Sequence, residues 1–562
     1  MPETYGDLFE YYEAVWILLR DELEGLNEPA RSETVEVLLQ AASGVSVQSV
    51  ELSGIVRSTL DELYHQDWVD KGEVIQAAVR IVHFSGDSFP EGEQRAWREF
   101  TEEISEGSYH ARLKRYVGLQ LGVDSDTDRG EGASYKDRLP ELVETALQDP
   151  ATLHDELPWL VPESPGRAIE FGYQLGQEDE DRELLNPILN EARSEEVTTT
   201  PRLLTGYLRA VGKDNPDLRQ EILESTKGDD ALNRHLVNLS VRSGLTEEDV
   251  DRMLEAVEDG QIEPVDLRAL KARAHPYEVV PENTFAEVCD VLLTEDTGEG
   301  AIALLDIFQS YYVFPDGAPA VNGGLAVELL THDVFLQNEH QLRYPQGTAR
   351  WWSETANELL DTHPDAGMEL LAPILGNLGE KGSLLTTTHD IEEVISRLLS
   401  ENTEEAWDRI TEVLEERDER TIWLMNWLSG GFRFDDTSSI PFIPPDLLRE
   451  WAEEDPETNG IIAARLVPAR FFHDEGKKCL ARELLKRYGD IEDVRHALSG
   501  NYHSESFAGP ESEHYKRKRE DLQEFKNKED DPNVLKWLNE EIATLTGRIK
   551  RAEVAEESSG RY

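Results

Sequence analysis

Apolar side chains recur every three or four residues along most of the chain, which is the spacing of one face of an α-helix. The first such stripe consists of Leu8, Tyr12, Val15, Trp16, Leu19, Leu23 and Leu26. The same spacing returns in residues 203–211, 218–223, 250–257, 267–274, 391–399 and 406–414. The sequence lacks the sustained alternation of apolar and polar residues that a half-buried strand requires. The pattern predicts an all-α protein with few or no strands.

Many of the predicted helices are short, and several begin alike. Proline stands at the expected start in Asn215-Pro216, His363-Pro364, Asp455-Pro456 and Asp531-Pro532. Proline costs no hydrogen bond at the first helical position, and Asp near such a start can cap free N–H groups. Short helix pairs that close a core only by stacking on their neighbours are typical of helical repeats. We therefore predict an α-solenoid of stacked short helix pairs.

We divide the chain into five predicted segments, and the sequence leaves open whether the first of them belongs to the same solenoid. Residues 1–160 are expected to form an N-terminal helical domain, and residues 161–308 and 351–495 to form helical repeats. Residues 309–350 are rich in Gly, Pro and aromatic residues and predict a loop-rich insertion. Residues 496–562 predict a less acidic C-terminal helical unit.

The chain is strongly acidic, with 116 Asp and Glu against 55 Lys and Arg, a net charge of −61. Only 16 of the basic residues are Lys, and aliphatic and aromatic residues persist throughout, which argues against a disordered polyanion. An acidic, lysine-poor surface around a core resembles proteins of haloarchaea, where molar salt shortens the Debye length to about 3 Å and screens self-repulsion. A nucleic-acid mimic or an acidic chaperone would instead concentrate the charge on one face or segment.

The C-terminal segment departs from this acidity. Residues 501–562 hold 11 Lys and Arg against 14 Asp and Glu, and they include the run Lys516, Arg517, Lys518 and Arg519. Contact between this run and phosphate is one hypothesis, and it predicts nucleic-acid binding. A solvated helix face that balances the neighbouring acidic residues is the other.

Two aromatic concentrations are candidates for binding a protein partner. Trp351 and Trp352 are adjacent, so on a helix they point about 100° apart and one of them is expected to face solvent or a partner. Phe432 and Phe434 lie in a second predicted loop, residues 429–446. We predict these four residues as partner-binding residues.

The segments that resemble catalytic, cofactor-binding or metal-binding motifs do not have the residue spacing that these motifs require. Residues 376–383 lack the arrangement of a phosphate loop, and residues 124–131 have Arg129 where a calcium loop needs Gly. His332 and His340 are eight positions apart and have no evident third ligand for zinc. We predict no catalytic, cofactor-binding or metal-binding residue.

Cysteine and hydropathy indicate the compartment. Cys289 and Cys479 alone exclude a disulfide framework and a Cys-built zinc site. The best apolar run, from Ala14 to Leu19, is far shorter than the roughly 18 residues that a membrane span needs. The N-terminus lacks the basic region of a signal peptide. We expect a soluble, cytoplasmic protein without membrane contact.

The last predicted helix carries a resemblance to a known class. After Asp531-Pro532, one helical face is formed by Val534, Trp537, Leu538, Ile542, Leu545 and Ile549, and this resembles the HEAT/armadillo class of helical repeats. More loosely, residues 451–557, with Gly-Asn-Tyr-His-Ser-Glu-Ser-Phe-Ala-Gly-Pro at 500–510, are similar to the C-terminal helical tails of large prokaryotic antiviral-defence proteins. The similar segment covers roughly a fifth of the chain. The resemblance implies a helical-repeat protein that acts in antiviral defence.

Together these observations predict a non-catalytic interaction scaffold, or an accessory subunit of a larger assembly, that binds a protein partner. Two alternatives stay open. The first is a nucleic-acid-associated protein that uses the basic run at 516–519. The second is a cryptic enzyme whose site is assembled from residues distant in sequence, which would appear as a concave pocket with convergent carboxylates and His.

Overall fold

The computed structural model describes residues 5–118, 135–337, 345–378, 394–429, 443–467, 480–503 and 509–559, apart from positions 274, 296, 395, 399 and 402. Over these residues the chain is predominantly helical and contains no strand, so the predicted all-α class is confirmed. Contacts divide the chain into two compact units, Met1–Arg273 (the first unit) and Ala274–Tyr562 (the second unit).

The α-helices described in the first unit are between 4 and 19 residues long. They are α1 (Tyr5–Glu22), α2 (Glu28–Ser46), α3 (Val50–Tyr64), α4 (Lys71–Arg80), α5 (Glu91–Glu106), α6 (Tyr109–Tyr116), α7 (Tyr135–Gln148), α8 (Pro150–His154), α9 (Leu157–Leu160), α10 (Ala168–Glu178), α11 (Leu185–Ala192), α12 (Arg202–Asp214), α13 (Pro216–Lys227), α14 (Leu236–Gly244) and α15 (Glu247–Glu258). A π-helical turn, Ile81–Ser85, continues α4.

The α-helices described in the second unit are similar in length, except for a long last one. They are α16 (Glu282–Leu293), α17 (Glu299–Phe308), α18 (Gly323–Leu330), α19 (Asp333–Leu336), α20 (Pro345–Thr362), α21 (Gly367–Gly376), α22 (Thr403–Glu416), α23 (Glu419–Ser429), α24 (Pro445–Glu454), α25 (Asn459–Leu466), α26 (Leu480–Tyr488), α27 (Glu492–His503), α28 (Glu511–Lys528) and α29 (Pro532–Ser559). A second π-helical turn, Gln309–Val313, continues α17.

In each unit a helix packs mainly on the next helix and on the one after it. In the first unit α2 contacts α3 and α4, α4 contacts α6, and α12 contacts α10, α13 and α14. In the second unit α22 contacts α23 and α24, and α25 contacts α24 and α27. Packing between near neighbours in sequence is how stacked helix pairs bury their apolar faces. The predicted stacking of short helices is confirmed within each unit.

Local sequence accounts for several helix starts. Asn215 precedes Pro216 at the start of α13, and its side-chain oxygen accepts a backbone N–H hydrogen bond of 3.1 Å. Asp531 precedes Pro532 at the start of α29 and accepts two such bonds, of 3.0 and 3.2 Å. These two predicted starts are confirmed. The start predicted at Pro456 is wrong, because Pro456 lies in a turn and α25 begins three residues later.

The helices α10 and α12 cross with their backbones almost in contact. A Cβ added to Gly206 of α12 would lie 2.8 Å from the backbone nitrogen of Tyr173, and closer still to the carbonyl oxygen of Ile169. A Cβ added to Gly172 of α10 would lie 3.0 Å from the carbonyl carbon of Leu203. Glycine is needed at both positions, because a side chain would have to displace backbone atoms.

Candidate interaction surfaces

The inward face of α1 anchors it to the first unit. Tyr12, Trp16 and Leu19 belong to the core of the first helices, and Trp16 is only 2% exposed. The indole N–H of Trp16 donates a 3.0 Å hydrogen bond to Oγ1 of Thr59 on α3. The apolar residues that the sequence predicts on one face of the first helix therefore face the core at these three positions.

The outward face of α1 is apolar as well. Tyr11 and Leu18 are 57% and 58% exposed, and Ala14 between them is also exposed. Their spacing of three and four residues places all three along one side of the helix. We call Tyr11, Ala14 and Leu18 the α1 stripe. Exposed carboxylates stand at its two ends, Glu10 before it and Glu22 after it.

Exposed apolar side chains are concentrated in the first helices. Among the described residues ten large hydrophobic side chains are exposed, and seven of them lie between positions 11 and 84. In addition to the two in the α1 stripe they are Val37, Val47, Val50, Trp68 and Phe84. Isolated exposed apolar residues are normal on protein surfaces, whereas a contiguous apolar patch marks an interaction site. The clustering of these residues along the sequence makes the first helices a candidate for such a patch.

Both π-helical turns are associated with an exposed phenylalanine. Phe84 lies within Ile81–Ser85, where its ring centre is 4.7 Å from that of His83. Phe314 directly follows Gln309–Val313 in the second unit. Such turns inside helices are frequent at functional sites. We therefore add both phenylalanines to the candidate interaction residues.

The two adjacent tryptophans of α20 differ in environment. Trp352 is fully buried, and its indole N–H donates a 2.9 Å hydrogen bond to the carbonyl oxygen of Leu330. Trp351 is partly exposed, and its carbonyl oxygen accepts a 2.8 Å bond from the side-chain amide of Gln309. Trp352 thus offers no surface to a partner, while Trp351 retains some. Partner binding therefore stays a prediction for Trp351 alone.

Several residues weighed from the sequence lie outside the described residues. Partner binding by Phe432 and Phe434 stays a prediction for this reason. Cys479, His340 and residues 124–131, for which the sequence predicts no chemistry, also lie outside the described residues. Cys289 is described and is buried in α16. Burial raises the pKa of its thiol well above the ordinary value, as expected for an inert core cysteine.

The two lysines of the basic run are already engaged within the protein. Lys516 lies 2.9 Å from Glu553 and 3.1 Å from Glu513, and these hydrogen bonds raise its pKa. Lys518 is buried on α28. Its ammonium donates a 2.5 Å hydrogen bond to the carbonyl oxygen of Tyr502 and lies 4.5 Å from the centre of that ring. Lys518 therefore joins α27 to α28, and its ammonium faces the protein interior.

The two arginines of the run differ in exposure. Arg517 is exposed, with its Nε donating to the carbonyl oxygen of Glu513 at 3.4 Å, and Arg519 is partly exposed. The run is therefore divided between interior and surface rather than presented as one cationic face. Nucleic-acid binding by residues 516–519 stays a prediction, with Arg517 as its most accessible member.

A cluster of titratable groups in the first unit joins α6 to α9. Nδ1 of His110 lies 2.7 Å from a carboxylate oxygen of Glu156, which also accepts from the indole N–H of Trp159. The buried ammonium of Lys114 lies 4.0 Å from the centre of the Trp159 ring and 3.4 Å from Glu163. These groups use their hydrogen-bonding capacity on one another, so the cluster holds two helices together.

A second cluster joins α27 to α29 in the second unit. Nε2 of His503 lies 2.7 Å from Glu541, and both side chains are mostly buried. Burial raises the pKa of the Glu541 carboxyl, but the hydrogen bond from His503 is the largest of the opposing effects, and the pKa is lowered. The Ser499 hydroxyl accepts a 2.9 Å bond from the indole N–H of Trp537 and donates a 2.8 Å bond to the carbonyl oxygen of Arg495. Nucleophilic catalysis would instead require this hydroxyl to donate to its base.

No group of three or more His, Cys, Asp or Glu among the described residues is placed to hold a metal ion. No described helix is both long and apolar enough to cross a membrane. A pocket of about 140 Å³ opens between α11 and α13, lined in part by Leu189, Leu218, Ile222 and Leu232. Ligand sites usually measure about 300–1,000 Å³, so this pocket has room for little more than a side chain.

No family model matches the sequence, and no curated protein matches it. Among solved structures the chain is similar to a protein described as "Circular tandem repeat protein with novel repeat topology and enhanced subunit contact surfaces", at 14% identity over 99% of each chain, with a TM-score of 0.13. A TM-score this low supports no inference about fold or function. The assignment to stacked helices therefore rests on the chain's own helices and their packing.

Proposed function

We propose that the chain is a non-catalytic interaction scaffold, or an accessory subunit of a larger assembly, that binds a protein partner through its N-terminal helices. The observation that carries this proposal is the concentration of exposed apolar side chains between positions 11 and 84. Their exposure costs free energy, on the order of 25 cal/mol per Å² of apolar surface left in water, which binding a partner would recover.

The polar clusters support a structural rather than a catalytic role. In both the His110 and the His503 cluster, the imidazole bonds a carboxylate that other side chains also contact, and each cluster links two helices. A solenoid with such internal ties is a rigid support for a binding surface. Catalysis at either cluster would require a nucleophile beside a free base.

The setting that we propose is a cytoplasm of high salt, supported by the net charge of −61 and the scarcity of lysine. The C-terminal resemblance to tails of antiviral-defence proteins supports a role in that process. The Asp531-Pro532 start and the apolar face that follows it support assigning the repeats to the HEAT/armadillo class.

The test is affinity capture of the tagged full chain from its host in about 2 M KCl, followed by mass spectrometry and nucleic-acid quantitation. We expect one protein at near-stoichiometric amount, and less of it when Val50→Gln and Phe84→Gln are combined. Val554→Gln is the matched control, because Val554 is exposed but lies in the second unit. Recovery of the chain alone, or of nucleic acid in place of protein, contradicts the proposal.

A further inference from the structure

The α1 stripe has the dimensions and the rigidity of a helix-binding face. Tyr11 and Leu18 are seven residues apart, which is about 10 Å along a helix axis. A partner helix presents apolar side chains at the same spacing of three, four and seven residues. Trp16, hydrogen-bonded to Thr59, fixes the rotation of α1 about its axis and therefore the direction in which the stripe points.

The small side chain of Ala14 leaves a depression at the centre of the α1 stripe. Ala14 stands between the larger Tyr11 and Leu18, so the stripe is lowest at its centre. Helices pack by placing a side chain of one into a depression on the other. A large apolar side chain at the middle of the partner segment would therefore lie over Ala14, between Tyr11 and Leu18.

The charged residues at the two ends of the α1 stripe determine which partner can bind to it. Exposed Glu10 stands at one end of the stripe, and exposed Asp21 and Glu22 stand at the other, with Arg20 hydrogen-bonded to Asp21 at 2.8 Å. A second copy of this helix would place carboxylates against carboxylates in both the parallel and the antiparallel orientation. A segment with Lys or Arg at both ends would instead meet an opposite charge at each end.

We propose that the α1 stripe binds the apolar face of a short amphipathic helix of a partner protein, and that this helix carries basic residues at both ends. This inference rests on the proposed scaffold function and specifies the chemistry of its partner. In high salt the apolar contacts supply most of the affinity, and the charges select the partner at contact distance.

The test uses the full chain and labelled synthetic helices of about 15 residues as probes. One probe has leucines at positions i, i+3 and i+7 between lysine pairs, and a second has the same leucines between glutamate pairs. Binding is measured by fluorescence anisotropy in about 0.5 M and 2 M KCl. We expect the lysine probe to bind at least about tenfold more tightly than the glutamate probe, with a smaller ratio at higher salt.

The variant Leu18→Gln distinguishes binding at the α1 stripe from non-specific binding elsewhere on the protein. It should weaken binding of the lysine probe at least about tenfold, because it removes the largest aliphatic contact of the stripe. Ile422→Gln is the matched control: Ile422 is 57% exposed, nearly as much as Leu18, but lies in the second unit. The control should bind the probe like the unmodified chain, and circular dichroism should show that both variants are folded.

Equal binding of the two probes, or equal loss of binding in both variants, would overturn the proposal. Self-association of the chain that Leu18→Gln abolishes in analytical ultracentrifugation would also overturn it, because a second copy would then occupy the stripe. If the captured partner is retained by a chain with Leu18→Gln, the scaffold function stands and only the assignment to the α1 stripe fails.

Discussion

Replacing Gly206 by alanine should force α10 and α12 apart, because the new methyl group would lie 2.8 Å from a backbone nitrogen and closer still to a carbonyl oxygen. Backbone atoms cannot rotate away as a side chain can, so the helices must separate by roughly an ångström or lose their regular geometry. The separation would also strain the 2.6 Å hydrogen bond from Tyr207 to Asp179, which lies beside the crossing.

The magnitude follows from two opposing effects. Overpacking of this kind costs about 1–3 kcal/mol and occasionally more, while alanine in place of glycine within a helix gains about 1 kcal/mol. A clash with backbone belongs at the upper end, so we expect a net loss of about 2 kcal/mol. For a unit of this size that loss lowers Tm by roughly 4–8 °C.

The assay is thermal unfolding followed by circular dichroism at constant high KCl, with Gly44→Ala as the matched control. Gly44 is also helical, in α2, but a Cβ added there has no atom within 4 Å. The control should therefore gain up to about 1 kcal/mol from helix propensity alone. If Gly206→Ala proves as stable as Gly44→Ala, the close backbone crossing of α10 and α12 is refuted.

Further predictions concern acid, the basic run and salt. Burial, together with the neighbouring Arg234, lowers the pKa of His235 to about 4, so the unfolded chain takes up its proton first as the pH falls below about 6.5. Stability should decline between pH 6.5 and 4 by at most about 3 kcal/mol from this group, and His235→Gln should lessen the fall of Tm over that range. Lys518→Gln should lower Tm, because it leaves the Tyr502 carbonyl without a charged donor, a loss of about 1.5–3 kcal/mol. Lys516→Gln should leave Tm nearly unchanged, and equal effects of the two changes would contradict the buried position of Lys518. Because the net charge is −61, Tm should rise as KCl is raised from about 0.1 to 2 M, and a flat dependence would contradict the role of salt screening.

The sequence is sufficient to predict that the protein is helical and which side of α1 faces the core. Spacing of three and four residues predicted the face that carries Trp16, because burial of that face is a local property of the pattern. The same spacing links Tyr11, Ala14 and Leu18 on a second side of the helix, about 100° from Tyr12 and Leu19, and this shorter pattern is obscured by the longer core-facing one. A helix that is apolar on two sides needs a second partner, and that inference was available from the sequence.

Other features depend on contacts between residues distant along the chain. The sequence shows that Trp351 and Trp352 point in different directions, but only packing against α18 determines that Trp352 is the buried one. Likewise a run of four basic residues indicates a solvated helix face. The burial of Lys518 depends on the Tyr502 carbonyl, 16 positions earlier, which no local pattern reveals.

Because each helix packs mainly on helices close to it in sequence, the protein should fold and unfold in local steps. Because each helix is held mainly by the next two, most contacts are formed over short loops, which favours fast folding that can start at several places. By the same logic, unfolding can proceed from an end of the stack without melting the interior. In the first unit α1 packs on α2 and is hydrogen-bonded to α3. A partner bound to the α1 stripe would slow the local opening of α1, so occupancy should be measurable as hydrogen-exchange protection that is greatest in α1 and declines through α2 and α3.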